Sequence, residues 1–266
     1  MAPHAGYNYS GKCAAYAYGA VDATDLERVV LLGPSHNVAF DKCAVPASNV
    51  AEYSTPLGNL QLDTTAIEAL KRQPSFTTLA METDEEEHSL ELHLPFIKYT
   101  LDLCHNTSAR LLPIMVGHIS SKDESRVAKL LEKYLSDPKS LVIISTDFCH
   151  WGKRFSFFWH DDQRFKSIAE SVEALDSLAM DIMRKQDPSA FAEYLRTYKS
   201  TICGKHPLAI LLHCLSTTNS NFKVRIANYD RSNTPQSYED SSVSYVAALV
   251  EPMPHDLPAA DGSSSA

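Results

Sequence analysis

The sequence predicts a three-layer α/β sandwich around a mainly parallel central sheet. Two observations carry that expectation. Arg28–Gly33 (RVVLLG), Arg110–Gly117 (RLLPIMVG) and Ser140–Ser145 (SLVIIS) are short, nearly continuous apolar runs that end in loop chemistry. That is the pattern of strands covered on both faces. Stretches of helical periodicity lie between and after them, and such alternation packs as helix, sheet and helix layers.

Taken in order, the chain opens with Met1-Ala2-Pro3-His4-Ala5-Gly6-Tyr7, which reads as a strand-exit loop with almost no strand in front of it. Arg28–Gly33 follows as the first full strand. Thr83–Leu103 predicts a helix, with Thr83 or Asp84 as N-cap and the acidic Glu85 to Glu87 in its first turn. Leu90, Leu92, Leu94 and Phe96 alternate as in a strand, however, and Pro95 falls inside, so the expected form is a helix kinked near the proline. After the strand Arg110–Gly117, the segment Asp123–Leu135 places Val127, Leu130, Leu131 and Leu135 at helical spacing. Beyond Ser140–Ser145, helices are expected within Asp161–Gln186, Pro188–Tyr198 and Pro207–Leu215. Phe222–Tyr229 and Ser242–Val250 read as strands at one edge, the second alternating at Val243, Tyr245 and Ala247. One domain is expected over residues 1–250. The remaining stretch, 251–266 (EPMPHDLPAADGSSSA), has little to bury and is expected to be disordered.

Composition narrows the function. A chain of 266 residues buries roughly 70–75% of its unfolded surface, so its core needs no disulfide or metal staple. The 33 acidic and 24 basic side chains leave a net charge of −9, which argues against a nucleic-acid partner, since phosphate contacts need clustered Lys and Arg. Nine glycines are few for phosphate-binding loops, and the dinucleotide, P-loop, serine-hydrolase-elbow and zincin motifs are all absent from the sequence. Six cysteines without a C-x-x-C pair, and without an apolar leader, give a reduced intracellular pattern. No stretch approaches the ~20 apolar residues that span a bilayer. The expectation is a soluble, cytoplasmic protein that does not insert into membranes, with the nucleus as a second compartment.

In an open α/β sheet, ligands bind outside the carboxyl ends of the strands. After RVVLLG comes Pro34-Ser35-His36, and after SLVIIS comes Thr146-Asp147-Phe148-Cys149-His150-Trp151-Gly152. With His4 in the opening loop, three histidines fall at equivalent strand-exit positions, as a metal or acid–base site requires. Each alone reads equally as a loop imidazole bonded to backbone. A fourth loop, Thr201-Ile202-Cys203-Gly204-Lys205-His206-Pro207, leads into an apolar helix whose free N–H groups, with Lys205, suit an anion. The same helix start draws Cys203 toward thiolate, or Cys203 is simply a small buried residue. The run Asp84 to His88, with Glu91 and His93, is either a ligand-bearing helix face or a solvated acidic turn.

APHAGYNYSG (2–11), LGPSHNV (32–38), TDEEEHSLELHLPF (83–96), STDFCHWG (145–152), TICGKHP (201–207) and DSSVSY (240–245) together resemble the Memo family. That family is named for a mediator of receptor-tyrosine-kinase-driven cell motility. The blocks run in order from residue 2 to about 250. The resemblance implies a fold similar to class III extradiol dioxygenases, the non-haem iron enzymes that cleave catechol rings. It also implies a pocket in which His4, His36 and Cys203 bind iron or copper, with Asp147 and His150 beside them. Phosphotyrosine peptides of a receptor tyrosine kinase are the implied partners over that pocket.

Physical chemistry sharpens these implications. Non-haem iron oxygenases use two His and one carboxylate, whereas a thiolate third ligand shifts preference toward copper(I), zinc or thiolate-tolerant iron and is itself oxidisable. Dioxygenase chemistry does not travel with the fold. In a metal-dependent oxidoreductase, His150 would be the acid–base residue and Asp147 its orienting partner. In a non-enzymatic peptide adaptor, Lys205, His206, Trp151 and Tyr7 would form the anion- and peptide-binding surface. His88 and His93 are further pocket candidates. Family members carry an earlier strand that delivers the APHAGY loop, while three residues precede His4 here. The expectation is either a sequence cut short or a sheet without that strand, with a bared neighbouring edge and a mobile first ligand.

Overall fold

The computed structural model describes residues 1–218 and 222–253. Its elements in chain order are α1 (Tyr7–Tyr18), β1 (Arg28–Pro34), β2 (Cys43–Val45), β3 (Glu52–Tyr53), β4 (Leu60–Gln61), α2 (Thr64–Lys71) and β5 (Phe76–Thr78). Then come α3 (Met81–Glu86), α4 (His88–Glu91), α5 (Leu94–Leu103), β6 (Arg110–Val116), α6 (Ser121–Leu135), β7 (Ser140–Ile144) and β8 (His150–Gly152). The chain closes with α7 (Ile168–Lys185), α8 (Pro188–Tyr198), α9 (Lys205–Thr217), β9 (Phe222–Arg231) and β10 (Ser241–Pro252).

The central sheet has the order β5-β2-β6-β1-β7. The pairs β1–β6, β1–β7 and β2–β5 are parallel, and β2–β6 alone is antiparallel. Helices flank both faces. Leu32 of β1 shares a small apolar void with Leu131 of α6 and Ile210 of α9. On the other side of the same strand, a Cβ on Gly33 would meet Ser89 and Leu90 of α4. Six consecutive residues of β1 are therefore buried, as the continuous apolar run predicts. An antiparallel ribbon β8-β10-β9 completes the domain at one side.

The first residues join the two sheets. The Ala2 N–H donates to the Ile144 carbonyl at 3.0 Å and the Ala2 carbonyl accepts from Thr146, while Met1 and Ala248 exchange hydrogen bonds. Ala2 and His4 are buried. The expected mobility of the opening segment is thus not found: two backbone bonds hold it at the end of β7 and two more to Ala248 of β10. Alongside the rest of that edge lies an apolar groove of about 410 Å³, lined by Val142, Ile144, Leu211 and Val250 among others.

Two expectations need correction. Thr83–Leu103 is three short helices, not one kinked helix. Glu87 is extended at φ −90° and ψ 105°, which ends α3, and its carboxylate accepts the Ser89 N–H to cap α4. Pro95 sits in the first turn of α5, where its missing N–H costs nothing, and not at a kink. The last strand also runs to Pro252, two residues past the expected domain end at 250. Of the stretch expected to be disordered, 254–266 lies outside the described residues. No helix among the described residues is long and apolar enough to cross a membrane.

Candidate metal centre

The strand exits converge as the sheet geometry requires. His4 follows the Ala2 bridge to β7, His36 follows β1, Asp147 and His150 follow β7, and Cys203 precedes α9. Donor atoms of His4, His36 and Cys203 lie within 4.8 Å of one another, and so do those of Asp147, His150 and Cys203. Cys203 belongs to both groups. A third group, His36, Glu87 and His88, shares His36.

The hydrogen bonds fix which ring nitrogen each histidine offers. The Ser145 hydroxyl donates to the Ser89 carbonyl at 2.7 Å, so its oxygen accepts at 2.6 Å from His4 Nδ1–H. His4 Nε2 is left facing Cys203 Sγ at 3.2 Å. His36 Nδ1 lies 2.8 Å from the Glu87 carboxylate, and His150 Nδ1 donates to the Phe148 carbonyl at 2.9 Å. Each imidazole therefore has its Nδ1 engaged by an acceptor, which leaves Nε2 without a proton, and that of His4 lies in hydrogen-bond contact with the Cys203 thiol. An ion about 2.1 Å from nitrogen and about 2.3 Å from sulfur holds those donors about 3.5 Å apart. The His4–Cys203 separation and the shared Nε2 presentation fit such an ion.

Burial sets the charge states. It pushes the His4 imidazole well below its ordinary range, helped by the neighbouring His36, His93, His88 and His150. It likewise lowers His150, against the Phe148 carbonyl, and His88, which also faces His36. The Asp147 carboxyl is pushed up to about 7 by burial, opposed by the N–H groups of His4 and Ala5. Burial and the nearby Asp147 raise the Cys203 thiol, although its sulfur accepts the Asp147 N–H at 3.2 Å. Of the two readings of Cys203 that the sequence leaves open, thiolate formation by the helix start of α9 alone is not supported. Desolvation outweighs it, and a bound cation would have to displace the thiol proton.

The loops are locked to one another. Gly204 donates its N–H to Thr146 Oγ1 at 3.0 Å, and a Cβ at Gly204 would lie 2.4 Å from Thr146 Cβ and 2.5 Å from the Ser145 carbonyl. Only a residue without a side chain lets the Cys203 loop sit directly on the β7 exit.

Other candidates lie elsewhere or are otherwise engaged. Asp147 accepts the His4 N–H at 2.8 Å, and it is the Phe148 carbonyl, rather than Asp147, that orients the His150 ring. His88 stacks on His36 with centroids 4.5 Å apart and meets His4 edge-on at 5.5 Å. His93 is buried with Nδ1 2.6 Å from the Tyr18 hydroxyl, outside all three donor groups. Trp151 is fully buried, its indole N–H donating to the Trp159 carbonyl, so it offers no face to a peptide. His206 is held by Glu124 at 2.7 Å, Lys205 opens α9, and the half-exposed Tyr7 donates to the Leu92 carbonyl. The sequence reading missed Glu87, which looked like one of several solvated acids but is 1% exposed. Its one signal is its place directly before His88-Ser89, where a helix restarts.

A family model described as "Memo: Memo-like protein" matches residues 1–249. Protein MEMO1 of Xenopus tropicalis is 42% identical over 253 residues, covering 94% of this chain and 84% of that one. Protein MEMO1 of Homo sapiens is 40% identical over the same shares, and the memo-1 homolog of Caenorhabditis elegans is 37% identical over 254 residues, covering 94% and 71%. The crystal structure of an uncharacterized protein from Escherichia coli K12 superposes with a TM-score of 0.50 over 86% of this chain and 88% of that one. At 12% identity that likeness speaks to fold alone.

Proposed function

The chain belongs to the Memo-like family, and from that premise we propose that it binds a redox-active metal, iron or copper, through His4, His36 and Cys203. Its role on this reading lies in signalling or metal and redox homeostasis, in the cytoplasm. The observation that carries the proposal is the convergence of one ring nitrogen from each of two histidines and one sulfur within 4.8 Å, with the Nδ1 of each imidazole held by an acceptor. When bound, iron or copper supplies one-electron chemistry at the sheet edge. The thiolate donor favours copper(I), thiolate-tolerant iron or zinc over hard cations. The protein's part is to keep His4 neutral by burial and to present Cys203 from a rigid loop, while the exposed His36 leaves one side of the site open to solvent. His150, with Nδ1–H fixed and Nε2 free, is the residue placed to hold or move a proton beside them.

Capture of phosphotyrosine peptides over the same pocket is the second reading. Trp151 is unavailable and His206 is committed to Glu124, so it rests on Lys205 and Tyr7, with a net charge of −9 opposing an anionic partner.

Titration tests the first reading. The Cys203 thiol lies above its ordinary range, and binding must expel its proton, while His4 is already neutral at pH 7. Affinity for zinc or iron(II) should therefore rise about tenfold per pH unit between pH 7 and 8.5. An affinity that does not change with pH would mean Cys203 is not bound as thiolate.

A further inference from the structure

Of the three proposed ligands and His150, His36 is the imidazole whose outer nitrogen meets a carboxylate, and the same carboxylate also lies 3.5 Å from His88 Nδ1. Glu87 is 1% exposed. Its Oε1 accepts from His36 Nδ1 at 2.8 Å and from the Ser89 N–H at 2.9 Å, and its Oε2 accepts the His36 backbone N–H at 2.6 Å. One side chain thus grips both the backbone and the ring of His36 across 51 residues of sequence. His4, by contrast, bonds outward to a neutral hydroxyl and His150 to a carbonyl.

We propose that Glu87 is a positioning residue of the metal centre. It fixes His36 with its proton on Nδ1, so that Nε2 is the nitrogen left to meet a metal ion. The claim rests on the metal reading above and adds a residue to it. A carboxylate behind a ligating imidazole settles the tautomer, orients the ring and raises donor strength, and removing such a partner costs 10–100-fold in metal affinity. The break between α3 and α4 then has a purpose in the site. Extending the backbone at Glu87 sends that carboxylate inward to the β1 exit, where a continuous helix would have kept it with its acidic neighbours.

Two measurements on the full chain test this. Long-range 15N–1H spectra of histidine-labelled wild type, freed of metal, should show His36 as the Nδ1–H tautomer. In Glu87→Gln, an amide NH₂ confronts N–H donors, and His36 should lose that single form. Competition titrations with zinc should then show affinity weakened about 10–100-fold in Glu87→Gln, with binding still through Cys203 as read from cobalt(II)–thiolate absorption. A wild-type His36 carrying its proton on Nε2 overturns the proposal without any variant. So does a Glu87→Gln protein with unchanged affinity. Failure of zinc and cobalt to bind the wild type, with the Nδ1–H tautomer seen, would instead sink the metal reading on which the role depends.

Discussion

Gly204→Ala should damage fold and site together. The added carbon would sit 2.4 Å from Thr146 Cβ and 2.5 Å from the Ser145 carbonyl, and the second of these is backbone that no rotamer change can clear. Backbone conformation is not the obstacle, because φ at Gly204 is −85°. The loop must therefore lift off the β7 exit, stretching the Gly204–Thr146 hydrogen bond and drawing Cys203 away from His4 and from the Asp147 N–H. Overpacking of this kind costs roughly 1–3 kcal/mol, or a fall of about 2–6 °C in Tm for a chain of this size. Metal affinity should fall by at least about tenfold, since a displaced donor can no longer complete the set. A thermal melt and a zinc titration on the purified variant check both halves. Unchanged melting would show that the two loops are not in the contact described.

Cys203→Ser should leave the fold intact and remove the metal. Serine fills nearly the same space and keeps a group that can accept the Asp147 N–H, now held by sulfur at 3.2 Å. As a ligand it fails, because a hydroxyl is a poor donor at neutral pH where a metal-bound thiol is deprotonated outright. Thiolate-rich zinc sites are worth about 10–16 kcal/mol over four ligands. A single ligand then represents roughly 3 kcal/mol, which is more than a hundredfold in affinity. Melting within a few degrees of wild type, with zinc affinity weakened at least about a hundredfold, is the combination that identifies Cys203 as a ligand rather than a packing residue.

The contrast between what was readable in the sequence and what was not has a physical basis. Arg28–Pro34, Arg110–Val116 and Ser140–Ile144 were recognisable as strands because burial on both faces leaves a continuous apolar run. The exits of β1 and β7 then carried the candidate histidines into view. Cys43–Val45 and Phe76–Thr78 escaped notice because three residues are too few to show a period. The segment from Met81 to Leu103 misled because Glu87, a good helix former, is drawn into an extended conformation by a partner 51 residues away. Trp151 looked like an exposed aromatic of a binding loop. It is buried because β8 pairs with β10, a contact between residues far apart in sequence. Glu87 was hidden for the same reason. Among four consecutive acids, Asp84 to Glu87, only its place as the cap of the restarting helix marks the one that turns inward.

Metal analysis of anaerobically purified protein tests the whole account most directly, with wild type, His36→Ala and Cys203→Ser prepared side by side. Near-stoichiometric iron or copper in the wild type, lost from both variants while they remain folded, is the predicted result. Equal metal in all three, or none in the wild type after reconstitution with iron(II) and with copper(I), would contradict it.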